Sequence, residues 1–187
     1  TGRTKKLDLS ILFDTNSLIT HLLKTELFNN KNIDFKLNIE AENILNNLNF
    51  INLNLNSKIQ EGLIDVDDTK FKWKNVSNFI ISESLIFVKN GELFLDGKLT
   101  IDIKNYNEIF KYLLTPKNYR KELKKIEVNF SYNFDQRTIN LNNIKIDNKY
   151  DQRINKTMTS IILKENNLKN KIYLKKILNN AIKLYAG

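Results

Sequence analysis

Apolar side chains recur at every second position through much of the chain. Ile33, Phe35, Leu37, Ile39 and Ala41 alternate with Asn32, Asp34, Lys36, Asn38 and Glu40. Ile51, Leu53 and Leu55 alternate with asparagines, and Ile59 keeps their parity beyond Ser57. Leu93, Leu95, Leu99, Ile101 and Ile103 form a third run with Gly97 in its one small slot; Ile126, Val128, Phe130, Tyr132 and Phe134 form a fourth. A period of two puts one set of side chains on one face of an extended strand. Polar residues in the other set leave that face wet. This predicts antiparallel sheet, because parallel strands are covered on both faces and read as continuous apolar runs. Leu63–Val66, Lys70–Lys74, Ser84–Val88 and Ile139–Ile146 are shorter strand candidates.

Glu61-Gly62, Asp67-Asp68, Lys89-Asn90-Gly91 and Asn142-Asn143 punctuate these runs as turns. Asn90-Gly91 is the favoured pair for a two-residue hairpin. Residues 32–104 are therefore expected as an antiparallel meander of about six strands. Helical spacing appears three times. Thr15–Phe28 carries Leu18, Ile19, Leu22, Leu23 and Leu27 on one side. Tyr106–Leu114 has Asn105 and Glu108 as a reciprocal start and Pro116 as a stop. Lys171–Tyr185 places Ile172, Ile177, Leu178, Ile182 and Leu184 at its apolar positions.

These elements compose a single mainly β domain, an elongated, curved, groove-like antiparallel sheet capped or covered by a few amphipathic helices. Residues 1–30 are a leading segment with a helix, 31–149 the sheet with an inserted helix over 105–124, 150–170 a polar, partly ordered linker, and 171–187 the closing helix. Lys117–Lys125 is expected as a basic connector with another helical turn. The total of 187 residues suits one domain, and 41% apolar content can fill its core. Beginning at Thr1 rather than Met, the chain is expected to be a piece of a longer protein.

Composition removes several kinds of chemistry. Cysteine is absent, which excludes disulfides, thiolate metal sites and thiol nucleophiles. His21 is the one histidine, lying between apolar neighbours with no partner for general-base work. Gly91 to Lys98 resembles a phosphate-binding loop only superficially. Its glycines stand one residue too far apart, and Leu99 occupies the place of the metal-binding hydroxyl. Asp65, Asp67 and Asp68 lack the glycine and distal glutamate of a calcium loop and read as a solvated turn. The expectation is a non-enzyme with no cofactor and no metal.

Charge points outward. Thirty Lys and Arg against 21 Asp and Glu give a net charge of +9, which favours anionic partners. Lys117, Arg120, Lys121, Lys124 and Lys125, with Tyr119 among them, are the densest basic cluster. It reads as a solvating face or as a surface for anionic lipid; no nucleic-acid reader motif accompanies it. The closing helix, with Lys171, Lys175, Lys176 and Lys183 on its polar side, caps the sheet or rests on a membrane surface.

The order of these patterns resembles the C-terminal region of the AsmA family of bacterial envelope proteins. The resemblance is carried by the alternating runs Asn32–Glu42 and Leu48–Gly62, the stretch Gly91–Ile103, the helix Tyr106–Leu114, Arg120–Asp147, and the ending Ile177–Gly187. It implies a sheet whose apolar inner face forms a lipid-carrying groove in the periplasm, serving phospholipid transport between membranes and outer-membrane biogenesis. It also implies an inner-membrane anchor upstream, and envelope proteins as further partners. On the residues themselves, Phe35, Leu37, Ile39, Leu53, Leu55, Leu95, Leu99, Ile101, Val128 and Phe130 are the candidate lipid-facing positions. An ordinary dry core is the other reading of the same ten. Two other classes stay open: a structural or protein-binding β-rich module without lipid cargo, and, as the weakest reading, nucleic-acid binding, so no nucleic-acid partner is expected.

Overall fold

The computed structural model describes residues 1–9, 14, 16–45, 49–161, 163–164 and 170–187. Eleven strands form one mixed sheet, and four α-helices accompany it among the described residues. The strands are β1 (Gly2–Leu7), β2 (Phe35–Ile44), β3 (Phe50–Gln60), β4 (Leu63–Asp65), β5 (Lys70–Trp73), β6 (Ser77–Lys89), β7 (Glu92–Ile103), β8 (Lys125–Asn133), β9 (Thr138–Ile146), β10 (Lys149–Tyr150) and β11 (Leu163–Lys164). The helices are α1 (Leu18–Lys24), α2 (Tyr106–Leu113), α3 (Gln152–Thr159) and α4 (Lys171–Ala186), with a 3-10 turn at Lys117–Tyr119.

From β2 to β10 the sheet is an antiparallel meander, and residues 32–104 supply six of its strands as expected. β4 and β5 act as one interrupted strand, both pairing with β3 on one side and β6 on the other. The interruption is stitched shut by polar groups. Asp67 accepts from the Ser84 N–H at 2.7 Å and the Ser84 hydroxyl at 2.6 Å, while Thr69 exchanges hydrogen bonds with the Asn56 backbone.

One pairing departs from the antiparallel expectation. β1 runs parallel to β2, with Gly2 opposite Ile39 and Leu7 opposite Ile44. The basic opening lacks clean alternation, so its strand character comes from this partner rather than from its own pattern.

Three hairpins turn on two residues that both have positive φ: Glu61-Gly62, Asn90-Gly91 and Asp147-Asn148. That conformation matches the twist of the flanking strands and favours Gly and Asn. Gly62 is doubly constrained, since a Cβ there would lie 2.8 Å from the Asn29 carbonyl oxygen. The Asn142-Asn143 pair is not a turn. It sits inside β9, where the β8 ladder advances two residues against three on β9 and Asn143 adopts φ 48°. Bulges of the same kind occur on β3 at Asn52 (φ 52°) and on β6 at Glu83 (φ 51°). Such insertions bend a strand and increase its twist.

The helices are shorter or more numerous than their patterns suggest. Helix α1 starts only after Ser17, whose hydroxyl accepts from the Thr20 N–H, and ends seven residues later. Phe28 lies beyond it, and Thr15 lies outside the described residues. Within 150–170, expected as linker, helix α3 buries Ile154, Asn155 and Met158 against the sheet. Its mean composition is polar, and the apolar spacing of Ile154 and Met158 at i, i+4 is brief, which hid it among the Asn and Lys residues. Residues 162 and 165–169 of that stretch lie outside the described set, as does Leu48.

Candidate functional site

Strand register brings the alternating positions together on one face. Ile39 lies opposite Leu55, Ala41 opposite Leu53, and Phe35 opposite Ile59. The same face continues through Ile64 and Ile86 to Leu95 and Tyr132. In the other half of the sheet, Phe79 opposes Ile101 and Ile101 opposes Ile126, while Ile81, Leu99 and Val128 share the neighbouring rung. The opposite face is polar, with Asn38 bonding to both Asn54 and Asn56 and Lys98 lying between Glu83 at 3.3 Å and Glu127 at 3.6 Å. Lys125, 3.0 Å from Glu127, holds that carboxyl below its ordinary range.

Bulges preserve the apolar face where strict alternation would lose it. Ile51, which the period of two assigns to the run with Leu53, opposes Asn43 and Lys72 on the polar side. Phe50 takes its place beside Leu53, three residues away across the Asn52 bulge, and Ala41 and Ile44 make the same three-residue step on β2. Phe50, Phe71 and Phe79 then form an aromatic cluster, with Phe71 and Phe79 stacked at 4.7 Å and Phe50 edge-on to both. The sequence reading missed these three. Lys70-Phe-Lys-Trp73 carried a faint alternating signal for Phe71, but the left-handed Asn52 left none for Phe50.

Helices cover this face unevenly. α3 and α4 pack on the β8–β9 side, where Val128, Ile144, Ile146, Ile154, Met158 and Ile177 form the largest cluster. The buried amide of Asn155 fixes α3 by exchanging hydrogen bonds with the N–H and C=O of Ile144. α1 leans over β6 and β7, placing Leu23 near Leu93, Leu95 and Phe134. It is anchored by Lys24, whose ammonium pairs with Asp135 while the other Asp135 oxygen accepts the Leu93 N–H. Burial alone would raise the Asp135 carboxyl, yet these two partners hold it below its ordinary value.

The ten candidate positions therefore share a face but not an environment. Leu53, Leu95 and Val128 are buried in three separate clusters. Leu37, Ile39, Leu55, Leu99, Ile101 and Phe130 are half-buried, and Phe35 is 54% exposed. Beside Phe35 an open depression of about 310 Å³ runs along Lys36, Lys58 and Ile59. A larger one, about 550 Å³, lies on the polar side of β1–β3, walled mainly by Lys5, Glu42, Asn52, Asn54 and the Arg3–Glu40 ion pair (2.8 Å), with Ala41 and Leu53 buried beneath it. The most exposed of the ten, Phe35, stands at the start of β2.

The basic candidates split into two places. Lys117, Arg120 and Lys121 are exposed on the segment alongside α4, and Lys124 pairs with Glu122 at 3.6 Å. Lys125 belongs to the polar sheet face through Glu127. His21 is exposed on α1. Asp67 is committed to Ser84, and no cluster of three His, Asp or Glu suited to a metal ion occurs among the described residues. No helix among them is long and apolar enough to cross a membrane. No family model, curated protein or solved structure matches the chain.

Proposed function

We propose that this chain is a non-enzymatic module that holds the acyl chains of phospholipid against the open end of its apolar sheet face. The observation that supports the reading is the contrast along one register-matched face: Leu53, Leu95 and Val128 are sealed, while Phe35 is more than half exposed and Leu37, Ile39 and Leu55 are half-buried. A sheet face this apolar is ordinarily covered by another layer. An acyl chain lying along Phe35, Leu37 and Ile39 would supply that layer, each buried methylene contributing about 0.8 kcal/mol. Such binding has no fixed polar anchor, so it suits transfer between membranes in a cell envelope better than tight storage.

Native mass spectrometry of the purified chain, followed by crosslinking with a phospholipid carrying a photoreactive acyl chain, tests this. The expected result is co-purifying phospholipid and crosslinks within Phe35–Leu55, reduced several-fold in Phe35→Asp. Because Phe35 is more than half exposed, that variant keeps its fold, checked by circular dichroism. Lipid-free protein with no crosslinks on this face would overturn the reading and leave a structural or protein-binding module.

A further inference from the structure

The net charge of the protein is concentrated at one end. Residues 106–121 and 171–187 together hold eight Lys and Arg and a single acid, Glu108, so they carry seven of the nine units of excess positive charge. The fold brings these distant segments side by side. The Asn179 side chain on α4 donates to the Leu113 carbonyl and accepts from the Thr115 hydroxyl, and Ile182 packs with Phe110 and Leu113. Lys175 stands over the Tyr112 ring at 4.4 Å, and Lys183 over Tyr119 at 5.6 Å. Among the described residues only Lys111 of the eight has an acidic partner, Glu108 at 3.7 Å.

Two large apolar side chains protrude from the same end. Ile172 is 82% exposed and Leu114 75%. Spacings of four and eleven residues put Ile172 on the same side of α4 as Lys176 and Lys183. Leu114 occupies the left-handed position that closes α2, with φ 59°; its N–H bonds to Lys111 and the Thr115 N–H to Phe110. Glycine is the usual residue there, because a side chain strains that backbone. Here a strained leucine is held out in solvent amid cations.

We propose that this end, formed by α2, the 3-10 turn and α4, docks on a bilayer containing anionic phospholipid. The lysines and Arg120 meet the headgroups, while Leu114 and Ile172 enter the acyl boundary as shallow anchors. Basic side chains near an anionic leaflet and apolar residues beneath them are the two components of interfacial binding. A phosphate backbone would engage the cations equally but gives Leu114 and Ile172 nothing to bury against, which favours the bilayer over nucleic acid.

Co-sedimentation of the whole chain tests this, using vesicles of phosphatidylcholine alone or mixed with phosphatidylglycerol. The mixed vesicles should bind at least about tenfold more strongly, with the difference shrinking as salt rises. Lys117→Glu combined with Lys176→Glu should abolish that preference. Leu114→Gly and Ile172→Ser should each weaken binding several-fold without lowering the unfolding midpoint. Equal binding to both vesicles, or unchanged binding of the charge-reversed variant, would overturn the proposal. So would tighter retention on duplex DNA than on mixed vesicles. The readout scores the vesicle surface, not a bound acyl chain, so it fails or succeeds separately from the sheet-face function.

Discussion

The Tyr185 hydroxyl donates a 2.7 Å hydrogen bond to Asp147, tying the last turn of α4 to the two-residue turn between β9 and β10. The same Asp147 carboxylate accepts the N–H groups of Lys124 and Lys125 at the start of β8. One acid thus joins the closing helix, a hairpin and the strand that begins the second half of the sheet.

The pair makes stability depend on pH at both extremes. Burial, then the Asp147 carboxylate, pushes the Tyr185 hydroxyl up to about 12. A raised phenol favours the folded state below its ordinary value near 10 and loses that contribution as pH climbs from about 10 to 12. Burial acts to raise Asp147, but Tyr185 and the two N–H groups outweigh it and hold the carboxyl low. Its contribution is present above the ordinary carboxylate value and fades as pH falls through the lower folded one. Tyr185→Phe should cost about 1 kcal/mol at neutral pH. Its deficit against the parent protein, followed by thermal unfolding, should narrow above about pH 10.

Asn155→Ala should be more damaging. Its amide bonds both backbone groups of Ile144, at 2.7 Å and 2.8 Å, in the core beside the β9 bulge. Truncation strands the N–H and C=O where water does not reach, a cost of about 2–4 kcal/mol. Denaturant unfolding should show the loss, and hydrogen exchange should rise first at Ile144.

Gly97 lies under the ring of Phe130, directly across the β7–β8 ladder. A Cβ added there would sit 3.0 Å from Phe130 Cζ and 3.3 Å from Ser84 Cβ. Gly97→Ala should lower stability by about 1 kcal/mol as the ring gives way, and Gly97→Val by about 2–3 kcal/mol. The double change Gly97→Ala with Phe130→Leu should recover part of the first loss in equilibrium unfolding.

Leu114→Gly should do the reverse. The side chain is largely in solvent and the backbone is left-handed, so glycine relieves strain at little expense of packing. A gain of about 1 kcal/mol is expected in denaturant titration. Stability gained while vesicle binding is lost would separate the residue's place in the fold from its place on the surface.

The meander was readable because alternation survives in each long run, and Asn90-Gly91 and Glu61-Gly62 announced their own turns. What stayed hidden depended on partners or on local backbone. Gly2–Leu7 becomes a strand by lying along β2. The thirteen residues of β6 were legible only from Ser84 onward, because Phe79, Ile80 and Ile81 read as an unalternated run interrupted from the rest by Glu83. Gln152–Thr159 shows two apolar positions in eight, too few to reveal a helix whose stability comes from Asn155 and the sheet beneath it. Of the ten candidate face residues, the shared side followed from period two. Their division into sealed and open positions came from tertiary neighbours that no local pattern encodes: α1 over Leu95, α3 and α4 beside Val128, and Leu7, Leu9, Phe50 and Phe71 around Leu53.

The left-handed residues at Glu83 and Asn143 also work as address marks. Sliding a strand by two residues would keep its oily side inward, so hydrophobicity alone tolerates several alignments. Each skipped rung must fall on a residue able to adopt positive φ; a two-residue slide would move it from Glu83 onto Ile81 or Leu85, and from Asn143 onto Leu141 or Lys145. On β6 and β9 such a slide therefore costs backbone strain as well as pairing, whereas on β3 Asn54 would accept the skip as readily as Asn52.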